Sequence, residues 1–158
     1  TMAGNSYYSQ GQYVVQNPEK YVGTKKPFAR SSWETAFMRF CDGHPNIVKW
    51  ASENVKIPYR HPLSGKITNY VPDFMVQYID KNGKTLVELI EIKPKSQTII
   101  ENAKGRGDKM QTTINAAKWT AANEWAKAKG MHFKVITEDQ IFRNNKKRKP
   151  TQRKPKRK

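Results

Sequence analysis

Residues 70–94 read Tyr70-Val71-Pro72-Asp73-Phe74-Met75-Val76-Gln77-Tyr78-Ile79-Asp80-Lys81-Asn82-Gly83-Lys84-Thr85-Leu86-Val87-Glu88-Leu89-Ile90-Glu91-Ile92-Lys93-Pro94. Two apolar runs flank Asp80-Lys81-Asn82-Gly83. Asn-Gly tolerates the positive φ angles of a tight turn, so the stretch predicts a β-hairpin. The first strand lies within Ile67–Ile79; the second runs from Thr85 to Lys93, and Pro94 ends it. The nearly unbroken run Leu89-Ile90-Glu91-Ile92 is what a central strand looks like. Glu91 and Lys93 are two apart, so on a strand both point to one face, with Ile90 and Ile92 on the other. Asp73 interrupts the opposite strand nine residues before Asn82, and Glu91 stands eight after Gly83. The turn therefore brings both carboxylates to the same end of the pair.

Charges on a central strand are costly unless partnered or hydrated. Two adjacent carboxylates repel unless a cation sits between them. Oxygen ligands suit a small hard cation, so the pair predicts Mg²⁺, with Mn²⁺ able to substitute. Such an ion orients a water, lowers its pKa and neutralises phosphate charge. Lys93 beside it would stabilise a pentacovalent transition state or help deprotonate the water. Carboxylates, cation and ammonium next to a phosphate make a phosphodiesterase site.

Working outward, Ser31 and Glu34 form a capping box for a helix beginning near Ser32, with Trp33, Phe37 and Phe40 at helical spacing. Asp42-Gly43 stops it. A short helical piece is expected over Pro45–Ser52, with Ile47, Val48 and Trp50 turned inward. Val55-Lys56-Ile57 alternates, and Leu63-Ser64-Gly65-Lys66 reads as a turn. Residues 95–107 are ambiguous, with Gly105-Arg106-Gly107 as loop. Asp108 is expected to cap a long helix to about Lys129 through Met110, Ile114, Ala117, Ala121, Trp125 and Ala128. Gln111, Asn115 and Lys118 share one face of it, read as polar and solvated by default. His132–Ile136 is a strand, and Thr137–Gln140 a second capping box. The order predicts one α/β domain with a mixed β-sheet flanked by helices.

The chain has 158 residues and a net charge of +17, enough for one domain. Ten of its 30 Lys and Arg residues crowd into 143–158 without an acid, and the remaining 20 still outnumber 13 acids. Three segments follow: an irregular N-terminal arm (1–19), the domain (20–142) and a disordered basic C-terminal tail (143–158). A basic body with a basic tail implies a nucleic acid as the partner. Lys146, Lys147, Arg148 and Lys149 in the tail, and Arg60, Lys66, Lys95 and Lys118 near the site, are the candidate phosphate contacts. Cys41 is the only cysteine, which excludes an internal disulfide framework and a multi-Cys zinc site and fits a reducing cytosol. No membrane span or signal segment is expected. His44, His61 and His132 are scattered, so an HNH nuclease is excluded.

Pro72-Asp73 followed by Glu91-Ile92-Lys93 resembles the PD-(D/E)XK motif of restriction-endonuclease-like nucleases. The resemblance extends to Arg30-Ser31-Ser32-Trp33-Glu34, Ile57-Pro58-Tyr59, Tyr70–Phe74, Glu91–Lys95 and Asn115–Trp119, which are similar to the head-completion nucleases of large tailed bacteriophages. Transposon-end nucleases are similar in layout. The resemblance implies a restriction-endonuclease-like core. It implies Asp73, Glu91 and the backbone carbonyl of Ile92 as metal ligands and Lys93 as the catalytic lysine. Glu34 matches an acidic residue on the first helix that would face the metal or water, although its capping box accounts for it without catalysis. The implied reaction is Mg²⁺-dependent DNA hydrolysis leaving 5′-phosphate and 3′-hydroxyl ends. The implied setting is the host cytoplasm during assembly and then the virion head, with capsid or portal proteins as partners. Two alternatives stand beside it: a non-catalytic head protein that binds DNA or capsid, and a junction resolvase or transposition-type nuclease.

Overall fold

A computed structural model describes residues 10–95, 98 and 105–141. Its centre is a four-stranded sheet of β3 (Ile47–Ser52), β6 (Phe74–Ile79), β7 (Thr85–Ile92) and β8 (His132–Ile136), in the order β3-β6-β7-β8. β6 runs antiparallel to both β3 and β7, whereas β8 runs parallel to β7, so the sheet is mixed. β7 is an interior strand, as its apolar run predicts.

The hairpin forms with Asp80 Oδ1 accepting from the N–H groups of Asn82 and Lys84, each at 2.9 Å. Only Gly83, at φ +79°, takes the left-handed conformation. Asn82 does not, so the turn departs from the Asn-Gly geometry expected. Asp80 stabilises it by an Asx-type bond that a serine or alanine would not reproduce as well.

Helix α1 (Ser32–Gly43) begins as its capping box predicts. Ser31 Oγ accepts from Glu34 N at 3.2 Å, and Glu34 Oε1 reaches back to Arg30 N at 3.0 Å. A cap of this kind is worth about 1 kcal/mol. α1 covers one face of the sheet. Met38 and Cys41 are buried there among Trp50, Phe74, Val76, Ile90 and Ile92, with Phe37 packed on Phe74 at 4.9 Å between ring centroids. Helix α2 (Arg106–Ala128) covers the other face. Its Ala122 and Ala126 are fully buried beside Leu89, and this second core also takes in Ile57, Tyr59 and Tyr70. Those three belong to a separate hairpin of β4 (Ile57–Arg60) and β5 (Ile67–Tyr70), turned at Gly65 (φ +74°).

Three expectations are corrected. Pro45–Ser52 is not helical: Ile47–Ser52 is strand β3, because Ile47, Val48 and Trp50 are strong strand formers and the run pairs with β6. The single strand expected within Ile67–Ile79 is two, β5 and β6, separated at Val71-Pro72-Asp73. α2 starts at Arg106 with Gly105 as its N-cap, so Asp108 lies inside the first turn and does not cap it.

Residues 10–19 are also more ordered than an irregular arm. Strand β1 (Gly11–Gln12) pairs with β2 (Phe28–Ala29), and a 3-10 turn follows at Pro18–Lys20. Asp42 holds this segment. Only 1% exposed, it accepts from Tyr13 Oη at 2.8 Å, Gln16 N at 2.7 Å and Asn17 N at 2.9 Å. Burial pushes its pKa up, but the bonds from Gln16, Tyr13 and Asn17 outweigh that and hold the carboxyl below its usual value. Its stabilisation is present at neutral pH and is lost as pH falls through that lowered pKa. Asp42→Ala strands three donors and is expected to destabilise the protein by about 2–4 kcal/mol in urea unfolding. The tail residues 143–158, including Lys146, Lys147, Arg148 and Lys149, lie outside the described residues.

Candidate active site

The last β6–β7 pair is Phe74 with Ile90. One step further along that register, Asp73 meets Glu91, as the count from the turn predicts. Phe74, Ile90 and Ile92 face α1, and Leu89 faces α2. Alternation therefore turns Glu91 toward α2, the face that carries Tyr70. Glu91 is 6% exposed and fixed at both oxygens. Tyr70 Oη donates to Oε1 at 2.7 Å, and Lys93 Nζ stands 3.8 Å from Oε2. Asp73 Oδ2 accepts from Ile92 N at 2.8 Å, which ties the carboxylate to the backbone between Glu91 and Lys93.

The electrostatics describe one cluster. Burial first, then the charges of Glu91 and Glu34, push the Asp73 pKa well above the usual carboxylate range. Burial also raises Glu91, against the opposing effects of the Tyr70 hydroxyl, Lys93 and Lys118. Glu34 is raised by burial, offset by its bond from Arg30 N and by the Arg30 charge. Lys118 on α2 is lowered by burial and by Lys93, and drawn back up by Glu91 and Asp73. Its Nζ lies 5.6 Å from the centre of the Tyr70 ring.

Asp73, Glu91 and Lys93 are thus brought together. Lys118 joins them, Glu34 stands within electrostatic reach, and Arg60 and Lys66 lie on the hairpin whose β5 strand ends at Tyr70. The Arg60 guanidinium is engaged within that hairpin, donating to Gly65 O at 2.6 Å. Lys95, largely exposed, pairs with Asp139 at 3.3 Å. The α2 face of Gln111, Asn115 and Lys118 is not solvated throughout: Asn115 is fully buried and accepts from Gln111 Nε2 at 3.1 Å.

Sequence reasoning assigned no part to Tyr70 or Glu53. Glu53 sits at φ +48° just after β3, donates its N–H to Asp73 O at 2.9 Å, and pairs with Arg30 and with Lys25 at 3.4 Å. A single glutamate outside any motif gives no signal of this. The left-handed backbone was the available clue only once the fold was known.

Among the described residues, no three His, Cys, Asp or Glu side chains gather closely enough to hold a metal ion by themselves. The donor set still fits a hard divalent cation. Half-buried Asp73 and buried Glu91 are two neighbouring carboxylates whose mutual repulsion such an ion would relieve, and Asp73 Oδ1 accepts no hydrogen bond among the described residues.

Two comparisons bear on this arrangement. The TnsA-like endonuclease N-terminal family matches residues 44–138, which include Asp73, Glu91, Lys93 and Lys118. The head completion nuclease of Enterobacteria phage T4 is 34% identical over 140 residues, covering 82% of this chain and 91% of that protein. No described helix is long and apolar enough to cross a membrane. A mixed sheet between two helices, Pro72-Asp73 facing Glu91-Ile92-Lys93 across a hairpin, and a family match over most of that domain agree: the chain belongs to the TnsA-like endonucleases, of PD-(D/E)XK type, and is a homologue of the phage T4 head completion nuclease.

Proposed function

We propose that the protein hydrolyses phosphodiester bonds of DNA with Mg²⁺ or Mn²⁺ held by Asp73, Glu91 and the Ile92 carbonyl, and that it trims packaged DNA in the virion head before tail attachment. The observation that carries the chemistry is the meeting of Asp73 and Glu91 at one end of the β6–β7 pair, with Lys93 3.8 Å from Glu91. A bound divalent cation would supply positive charge to the phosphate and lower the pKa of a water.

The chain's own groups do the rest. Ile92 N–H holds Asp73 in position, Tyr70 and Lys93 orient Glu91, and the Lys93 ammonium is available to the phosphate oxygens as charge develops on them. Lys118 adds a second ammonium on the same side. Arg60 and Lys66 on the β4–β5 hairpin lie along the approach of the duplex. Glu34 acts on Asp73 through its charge, or on a water. The head setting rests on similarity to the phage protein and on the basic composition. Capsid or portal contacts, and passage from host cytoplasm to virion, belong to that setting.

Filled, tailless heads with DNA protruding at the portal test the proposal. Added protein is expected to shorten the protruding DNA and restore tail joining, with EDTA blocking both. Intact protrusions in Mg²⁺, beside efficient cutting of naked DNA by the same preparation, would favour the resolvase or transposition-type alternative.

Deleting residues 143–158 is expected to weaken DNA binding and flatten its salt dependence while leaving saturated cleavage unchanged. Each lost phosphate contact removes about 0.9 from the slope of log K against log salt. Fluorescence anisotropy between about 50 and 200 mM salt measures the slope.

A further inference from the structure

We propose that Tyr70 is a positioning residue of the nuclease centre, joining Glu91 to Lys118 and so making the β4–β5 hairpin part of the site. The inference rests on the nuclease reading above and adds to it a residue outside the acidic and lysine motif.

Tyr70 closes β5 and is 4% exposed. A buried tyrosine hydroxyl needs a partner. This one finds Glu91 Oε1 at 2.7 Å, a charge-assisted bond on a carboxylate that is itself buried. The other Glu91 oxygen faces Lys93, so hydroxyl and ammonium hold the carboxylate from two sides and fix the direction in which it can coordinate. The face of the same ring carries Lys118 Nζ at 5.6 Å. Lys118 forms no ion pair within 4 Å among the described residues, and Lys93 is near enough to repel it. Glu91 and Asp73 attract Lys118 from a distance, and without an ion pair within 4 Å its ammonium keeps donors for a DNA phosphate. Tyr70 thus has two separable parts: the hydroxyl orients Glu91, and the ring keeps Lys118 over the phosphate path.

The separation can be measured. Tyr70→Phe removes only the hydroxyl; Tyr70→Leu also removes the aromatic face. Both are assayed beside the intact full-length protein for thermal unfolding, for Mn²⁺ affinity by calorimetry without DNA, and for kcat and KM on plasmid DNA. Tyr70→Phe is expected to fold, to bind Mn²⁺ about 10-fold more weakly and to lose kcat at unchanged KM, the range seen when a group behind a metal ligand is removed. Tyr70→Leu is expected to add a rise in KM, and Lys118→Met alone is expected to reproduce that rise. Tyr70→Phe with the Mn²⁺ affinity and kcat of the intact protein would overturn the assignment, leaving Tyr70 as core packing only. If the intact protein itself neither binds Mn²⁺ nor cuts DNA, the nuclease reading fails and takes this inference with it. Intact activity beside an unaffected Tyr70→Phe separates the two failures.

Discussion

Asp73→Asn is expected to abolish cleavage and, in the absence of divalent cations, to raise the melting temperature. Asparagine keeps an oxygen for the Ile92 N–H, which Asp73 now accepts at 2.8 Å. It removes a charge that burial disfavours and that Glu91 and Glu34 repel. Relief of this repulsion is expected to stabilise the cation-free protein by about 1–2 kcal/mol, or about 3–8 °C. Cleavage should fall at least about 100-fold, since even groups behind a metal ligand cost about 10–100-fold.

The pH dependence follows from the same carboxylate. Its folded pKa lies above the unfolded value of about 3.9, so between the two the folded state holds a proton the unfolded chain has released. Its contribution to stability is therefore full below the unfolded pKa and declines as pH rises through the folded pKa. Asp73→Asn should flatten that decline. Thermal melts in EDTA across pH measure both effects. A variant that melts lower, with an unchanged pH slope, would show that Asp73 is an ordinary structural carboxylate.

Lys93→Ala is expected to lower kcat by about 10²–10³-fold with little change in KM, because in the proposed mechanism its ammonium serves the developing charge and other basic groups supply most of the DNA affinity. Lys93 also stands against Glu91 at 3.8 Å and offsets the effect of burial there. Lys93→Arg keeps that charge but replaces a compact ammonium by a planar fork, so it should restore stability more than rate. Single-turnover cleavage of a nicked-plasmid series separates the two. A fall confined to KM would assign Lys93 to binding alone.

The site's core was legible because it is local in two senses. Asp80–Gly83 makes a turn, and strand alternation then determines which residues share a face. Asp73 and Glu91 follow from counting, and α1 from Ser31 and Glu34. What escaped depends on distant parts of the chain. Ile47–Ser52 suits a short helix or a strand until β6 is beside it. Residues 10–19 look irregular because their order comes from Asp42, 25 to 29 residues away. Asp108 looks like a cap, yet the helix starts with glycine at its N-cap. Tyr70 looks like any core tyrosine until the β4–β5 hairpin folds its hydroxyl onto Glu91.

The central claim is that Asp73, Glu91 and Lys93 form a cation-dependent phosphodiesterase centre. Incubation of supercoiled plasmid with purified protein in Mg²⁺, in EDTA and with the Lys93→Ala variant tests it most directly. The account predicts nicked and linear products in Mg²⁺, none in EDTA, and a strongly reduced rate for the variant. Plasmid that is bound but uncut in both Mg²⁺ and Mn²⁺, or cut equally well by Lys93→Ala, would contradict it.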